Sequence, residues 1–350
     1  MYLNSKFNYN IHNLVSICSD KPLNIKYIEL PDVFLVENLN DPDIRIKVQK
    51  IERKEYSSGE RVGDKYRWGG DWLYLDWGVP SMFGLQAIIK GLEQPKTELI
   101  FSPLFWKVGD APYIIGATIS IHLLRHNVTP VHAACISVHG KNILISGLSH
   151  MGKTSTILNL LSNSDDAQLY ADDTIILGEE RVYSFPRAVG ISPATDTGTI
   201  ELSGKEKIKR RIRNSMLKAP IISVFLKNRG SVNLKQDVMG TCRPHVCYFL
   251  REGPPLIREL DQGTAAKLLF DSTQTLLHFR VNAHHCVNTY SYMKKDLDLF
   301  ELERKRRSLI ETLFKTVDCY EILSNTKGGF ATLIRSHLTG KIRDEAKINR

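Results

Sequence analysis

The chain of 350 residues is 42% hydrophobic and 24% charged, with a formal net charge of +9, proportions of an ordinary globular protein that argue against disorder and against a membrane-embedded chain. Its length accommodates one large domain or two smaller ones. The longest apolar-biased stretch, about residues 112–124, is interrupted by Gly116 and His122 and falls short of the ~20 residues that a bilayer crossing needs. Residues 1–15 are polar and lack the apolar core of a secretory signal, so a cytoplasmic location without a membrane partner is expected.

The cysteines at 18, 135, 242, 247, 286 and 319 are too scattered for a disulfide framework and are expected to be reduced thiols. Cys242, His245 and Cys247, with His284, His285 and Cys286 later on, raise the question of zinc. The first spacing is looser than zinc sites use and the second group has no paired Cys-x2-Cys, so buried thiols and surface histidines are the expectation. The basic run Lys205, Lys207, Lys209, Arg210, Arg211 and Arg213 surrounds Glu206 and is local. No nucleic-acid-binding motif accompanies it, and a solvated face or a phosphate-facing loop is expected in place of a nucleic-acid groove.

In chain order, residues 1–78 suggest short strands, at 25–30, 33–37 and 44–51, with Asn40-Asp41-Pro42 as a break. The aromatic segment 66–77, with Trp68, Trp72, Tyr74 and Trp77, alternates as a strand whose rings fill a core. Helices are predicted over 81–92 and 113–126, the second ending before Asn127 and Pro130. Ala133–Val138 is a β-type run, His139-Gly140-Lys141 a turn, and 142–146 a strand that feeds directly into Gly147. Lys153–Ser162 is predicted helical with Ile157, Leu158, Leu160 and Leu161 on its apolar side. Gln168–Ala171 is a short strand ending at Asp172-Asp173, and 174–177 with 181–185 form a hairpin around Gly178-Glu179-Glu180. Hairpins on both sides of a strand–loop–helix unit imply a mixed sheet, because a doubly wound sheet alternates strand and helix.

Further on, strands are predicted at 220–226 and 246–250. An amphipathic helix is predicted over 294–316, with Leu299, Phe300, Leu302, Leu309, Ile310, Leu313 and Phe314 inward and the charged run 301–307 as its solvated face. Residues 336–350 are polar and expected to fray. The domain plan is a β-rich lobe over 1–110, a second domain over 111–335 and a polar tail over 336–350.

Gly147-Leu148-Ser149-His150-Met151-Gly152-Lys153-Thr154 satisfies G-x4-G-K-[ST] in the strand–loop–helix setting that the motif requires. The glycines let the chain wrap around phosphates, and the loop residues Gly147, Ser149, His150, Met151, Gly152, Lys153, Thr154 and Ser155 are the candidate nucleotide contacts. Backbone N–H groups and the helix N-terminus face the anion, Lys153 offers a cation to the β- and γ-phosphates, and Thr154 is the expected Mg²⁺ ligand. Asp172 and Asp173 follow Lys153 by nineteen and twenty residues, enough chain for one helix and a return strand. Two adjacent carboxylates there can divide the labour, one holding Mg²⁺ and the other taking a proton from the attacking hydroxyl. His132 precedes the first strand of the unit, and the hairpin that follows returns it to the end of the loop.

These residues, with the run Val131-His132-Ala133-Ala134, resemble the catalytic core of the HPr kinase/phosphorylase family, and the plan is similar to that of phosphoenolpyruvate carboxykinase, whose loop also begins Gly-Leu-Ser. The likeness covers about residues 130–190. It implies an α/β (α+β) fold with a mixed-sheet P-loop kinase core, ATP and Mg²⁺ as cofactors, Asp172 as general base, Asp173 as metal ligand and His132 beside the phosphate or metal. His150 and Met151 stand where the family has small residues, and no segment matches the C-terminal signature of true HPr kinases, so neither HPr as acceptor nor phosphorylase activity is expected. The chain is short for a carboxykinase, and no arginine can be assigned to oxaloacetate. The resulting expectation is a kinase acting on Ser or Thr of a peptide or small protein, with a peptide-tailoring role among the family's options and homo-oligomerisation left open. The alternatives are a small-molecule alcohol kinase and a non-catalytic nucleotide-binding regulator; the intact trio Lys153, Asp172 and Asp173 argues against the second.

Overall fold

The computed structural model describes residues 6–23, 30, 32–77, 84–185, 189–191, 230–232, 240–277 and 281–340. The chain divides into two compact units, residues 1–129 with 274–309 and residues 130–273 with 310–350.

The first unit is built on a nine-stranded sheet of β1 (Phe7–Ile11), β2 (Val15–Ser19), β3 (Leu35–Val36), β4 (Ile44–Val48), β5 (Glu60–Val62), β6 (Tyr66–Trp68), β7 (Trp72–Asp76), β8 (Gln86–Lys90) and β9 (Thr97–Phe101) in the order 3-1-2-4-9-8-7-6-5. β2, β4 and β9 run parallel to one another and the remaining pairs are antiparallel. The helix Ala111–Arg125 is apolar nearly all round, with Ile114, Ile115, Ile119, Ile121, Leu123 and Leu124 buried, and it packs on β2, β9 and the helix Val281–Met293. A helix with no polar face must be covered on all sides. The division therefore falls at 129 and not at 110, and the segment 274–309 returns to the first unit.

Several predicted elements change here. The helix expected over 81–92 is, in its described part, the strand β8, with Ile88 opposite both Tyr74 and Ile100. A three-residue apolar run buried on both faces has no readable period, and Gly84 and Gly91 bound it. The strand expected at 33–37 is a 3₁₀ turn, Asp32–Phe34, followed by Leu35–Val36, and that expected at 44–51 ends at Val48. The strand expected at 25–30 lies outside the described residues except for Leu30, which is in no strand. The long helix begins at Leu299 and not at 294, because Asp298 takes the N–H of Glu301 on its carboxylate at 3.0 Å as a cap does. Leu309, Ile310, Leu313 and Phe314 face inward as expected, but Phe300 is 81% exposed and Arg306, within the charged run, is 4% exposed.

The second unit holds a six-stranded mixed sheet in the order β13 (Gln168–Ala171), β11 (Ala133–Val138), β12 (Lys141–Ser146), β19 (Val246–Glu252), β21 (Asp318–Ser324), β20 (Leu256–Glu259). β12, β19 and β21 are parallel and the outer pairs antiparallel. A four-stranded sheet joins β10 (Thr129–Val131), β14 (Ile175–Leu177), β15 (Val182–Tyr183) and β18 (Thr241–Cys242), and β16 (Val189–Ile191) pairs with β17 (Gly230–Val232). The hairpin expected across 178–180 is β14–β15. Ile143, Ile145, Tyr248, Leu250 and Ile322 line one face of the larger sheet and pack against Ile157, Leu158 and Leu161 of the helix Lys153–Ser162 and Phe330 and Ile334 of the helix Gly329–Leu338. That helix runs through the start of the expected polar tail, whose residues 341–350 lie outside the described residues. So do the expected strand at 220–226 and the basic run 205–213. No helix of the described residues is long and apolar enough to cross a membrane.

Candidate active site

Parallel strands β12 and β19 place their C-terminal ends at one edge of the sheet, and the loop Gly147–Gly152 leaves β12 there to enter the helix Lys153–Ser162. Its backbone is left-handed at Gly147 (φ 153°), His150 (φ 70°) and Gly152 (φ 108°). A Cβ at Gly147 would stand 3.1 Å from the Leu250 carbonyl oxygen, and one at Gly152 would stand 3.3 Å from Lys327 Cγ. Glycine suits the dihedral at both ends, and at Gly147 it also suits the close approach to the Leu250 backbone. Gly152 is the helix N-cap and carries no side chain to cover the first-turn N–H groups, the arrangement that suits an anion.

Lys153 is 6% exposed. Its ammonium donates to Gly147 O at 2.7 Å, to Leu148 O at 3.1 Å and to His132 Nε2 at 2.8 Å. Burial lowers its pKa from the ordinary lysine value, against the pull of Asp173 and Asp172.

His132 is brought in by register. Ala133 lies opposite Ser146 across the β11–β12 hairpin, so the residue before β11 stands level with the residue after β12. Its Nδ1 is 2.9 Å from the Asp173 carbonyl oxygen. A carbonyl only accepts, so Nδ1 carries the proton, and Nε2 is the lone pair that receives Lys153. The backbone is pinned as well: His132 N–H donates to Thr273 Oγ1 at 3.0 Å, and the Ser146 hydroxyl donates to His132 O at 3.2 Å.

Asp172 and Asp173 follow β13, which pairs with β11 through Ala171 and Cys135. Asp172 is 5% exposed, and its carboxylate receives the Thr154 hydroxyl at 3.1 Å and 3.3 Å. Asp173 has left-handed backbone (φ 70°), a carboxylate 3.4 Å from His132 Nδ1 and a side chain 43% exposed. Left-handed non-glycine residues cost on the order of 1 kcal/mol each; His150 and Asp173 both belong to this site.

The structure therefore gathers Lys153, Thr154, His132, Asp172 and Asp173. Ser149 and His150 are exposed on the loop, Met151 packs on the sheet core and Ser155 is buried. Thr273, Leu250 and Lys327 also shape the site, and nothing in the sequence pattern marks them, since each reaches it from a distant segment.

The donor set suits Mg²⁺: a hydroxyl and carboxylates are hard oxygen ligands, and this ion keeps several waters and substrate phosphate oxygens beside one or two protein ligands. Among the described residues, no group of three or more His, Cys, Asp or Glu side chains forms a metal cage. Cys242 meets Cys135 at 3.6 Å between sulfurs, and that hydrogen bond together with burial pushes the Cys135 thiol well up. His245 accepts the Asn142 N–H at 3.0 Å.

No protein-family model matches the chain, and no curated protein matches it. Among solved structures it is similar to the Hpr(Ser) kinase/phosphatase from Coxiella burnetii, with 14% sequence identity and a TM-score of 0.28 over 61% of this chain and 98% of that one.

Proposed function

We propose that the chain is an ATP- and Mg²⁺-dependent kinase that transfers the γ-phosphoryl group to a hydroxyl, on Ser or Thr of a peptide or small protein. The observation that carries this reading is the hydrogen bond from Thr154 to Asp172. It sets the hydroxyl that closes the phosphate loop against a buried carboxylate, so a proton acceptor lies beside the phosphate site. The loop N–H groups and the helix N-terminus bind the phosphate oxygens, and Lys153 exchanges the Gly147 and Leu148 carbonyls for them. Thr154 and Asp173 would hold Mg²⁺, which would supply charge neutralisation at the transferring phosphate. The exposure of the Asp173 carboxylate supports its access to a hydrated ion. Asp172 accepts the proton of the acceptor hydroxyl as its oxygen bonds to the γ-phosphorus and the bond to the bridging oxygen breaks, releasing ADP. His132, neutral and pinned on both nitrogens, orients Lys153.

The test has two parts. Calorimetry with Mg–ATP should show one site that Lys153→Ala removes. Incubation with γ-labelled ATP and a library of Ser- and Thr-containing peptides should give label transfer that Asp172→Asn removes. Absence of nucleotide binding in the unaltered chain sinks the proposal; binding without transfer to any hydroxyl leaves a regulator.

A further inference from the structure

Lys153 is one cation set among two carboxylates, Asp172 and Asp173, whose charge Mg²⁺ would offset. The polyphosphate itself then brings several negative charges that one lysine balances only in part, and a further cation beside the cradle would be drawn to them. Arg251 follows Leu250, the residue that abuts Gly147, but its guanidinium is held by the buried Glu321 at 2.7 Å, and Arg258 is held by the same carboxylate.

Lys327 reaches the loop itself, through the turn that follows β21. β21 is parallel to β19, so it ends at the same sheet edge as β12, and the turn after it leads into the helix Gly329–Leu338, which packs on the helix Lys153–Ser162. The turn is fixed in shape. Ser324 Oγ donates to Thr326 O at 2.8 Å and accepts the Thr326 N–H at 3.2 Å, and the Gly329 N–H reaches Thr326 O at 3.1 Å. A Cβ at Gly329 would meet Ser324 Oγ at 2.3 Å, so only glycine allows the turn to close. The result is that the Lys327 stem lies along the loop: Cγ and Cβ are 3.3 Å and 3.4 Å from where a Gly152 Cβ would stand. The ammonium is three bonds beyond that Cγ on a flexible chain.

We infer that Lys327 is a second cation for the nucleotide phosphates, supplied by the 324–329 turn and laid against the last glycine of the phosphate loop. This rests on the reading of Gly147–Thr154 as a nucleotide site. A side chain at Gly152 would crowd the Lys327 stem as well as meet the strained dihedral.

The experiment compares the unaltered chain with Lys327→Met, which keeps the stem and removes the charge, with Lys327→Arg, and with Lys153→Ala. Each is titrated calorimetrically with Mg–ATP and Mg–ADP at low and high salt. Lys327→Met should raise Kd about tenfold, the size of one charge-assisted contact, and should flatten its salt dependence. Lys327→Arg should bind nearly normally, and melting without nucleotide should be unchanged in both. If Lys327→Met melts early, Lys327→Gln carries the same comparison. Unchanged Kd and salt dependence in the neutral variant, with binding lost in Lys153→Ala, overturns the role of Lys327 and leaves the loop assignment standing. No binding by the unaltered chain overturns both.

Discussion

The Lys153 ammonium and the His132 Nε2 atom are 2.8 Å apart, and the same ammonium also rests on two carbonyls of its own loop. A ligand whose phosphates replace those carbonyls stabilises the folded chain by mass action. Mg–ATP should therefore raise Tm, and Lys153→Ala should abolish most of the shift. His132→Gln should keep the shift while lowering turnover, because histidine orients the lysine and does not itself carry the phosphate. Equal shifts in the unaltered chain and Lys153→Ala would remove the loop from nucleotide binding.

The two aspartates separate binding from chemistry. Asp172→Asn should hold nucleotide affinity within a few-fold and lower phosphoryl transfer by roughly 10²–10⁴, the usual contribution of a general base. Asp173→Asn should raise the Mg²⁺ concentration needed for half-maximal rate. A Mg²⁺ titration of the transfer rate for both variants decides it, and the inverse pattern would exchange the two roles.

What was legible in the sequence follows from how local each feature is. The loop is one continuous segment between a strand and a helix, so its spelling carries its shape. Asp172 needs only one return strand, and His132 only a hairpin whose register brings residue 133 opposite residue 146. Thr273 and Lys327 reach the same place from other segments, and no local pattern marks them. The apolar run of β8 is too short to show a period, so its strand form is not legible, and the split of the chain is hidden because 274–309 folds back onto the first unit.

His122 gives a pH test confined to the first unit. Its Nε2 lies 2.8 Å from Thr97 Oγ1 and 3.4 Å from Arg125 Nη1. Burial first, and the Arg125 charge second, lower its pKa to about 4. The unfolded chain takes up the proton near pH 6.5, so the folded state binds fewer protons between the two values. Its stability contribution is complete above about pH 6.5 and is lost as pH falls toward 4. Urea unfolding across that range should show a steeper decline for the unaltered chain than for His122→Asn. Parallel curves would show that the imidazole does not titrate with folding.

Arg306 and Phe300 give the sharpest contrast between pattern and structure, because both lie on the helix Leu299–Phe314 on faces opposite to the expected ones. The Arg306 guanidinium donates to Thr129 Oγ1 at 3.1 Å and to Ser120 Oγ at 2.9 Å, and it pairs with Glu303. Glu303 is 42% exposed and also accepts from Gln274, so the cost of removing Arg306 lies in the buried gap and in the partner taken from the Thr129 and Ser120 hydroxyls, about 1–3 kcal/mol. Phe300, 81% exposed, buries too little to matter, and surface changes of this kind stay within about 0.5 kcal/mol. Denaturant unfolding should therefore show a large loss for Arg306→Leu and almost none for Phe300→Ser. Arg306→Lys should fall between them, since an ammonium keeps the charge but lacks the planar fork that spans three partners. A stable Arg306→Leu paired with a destabilised Phe300→Ser would place Phe300 inward and Arg306 in solvent, as the hydrophobic pattern suggests.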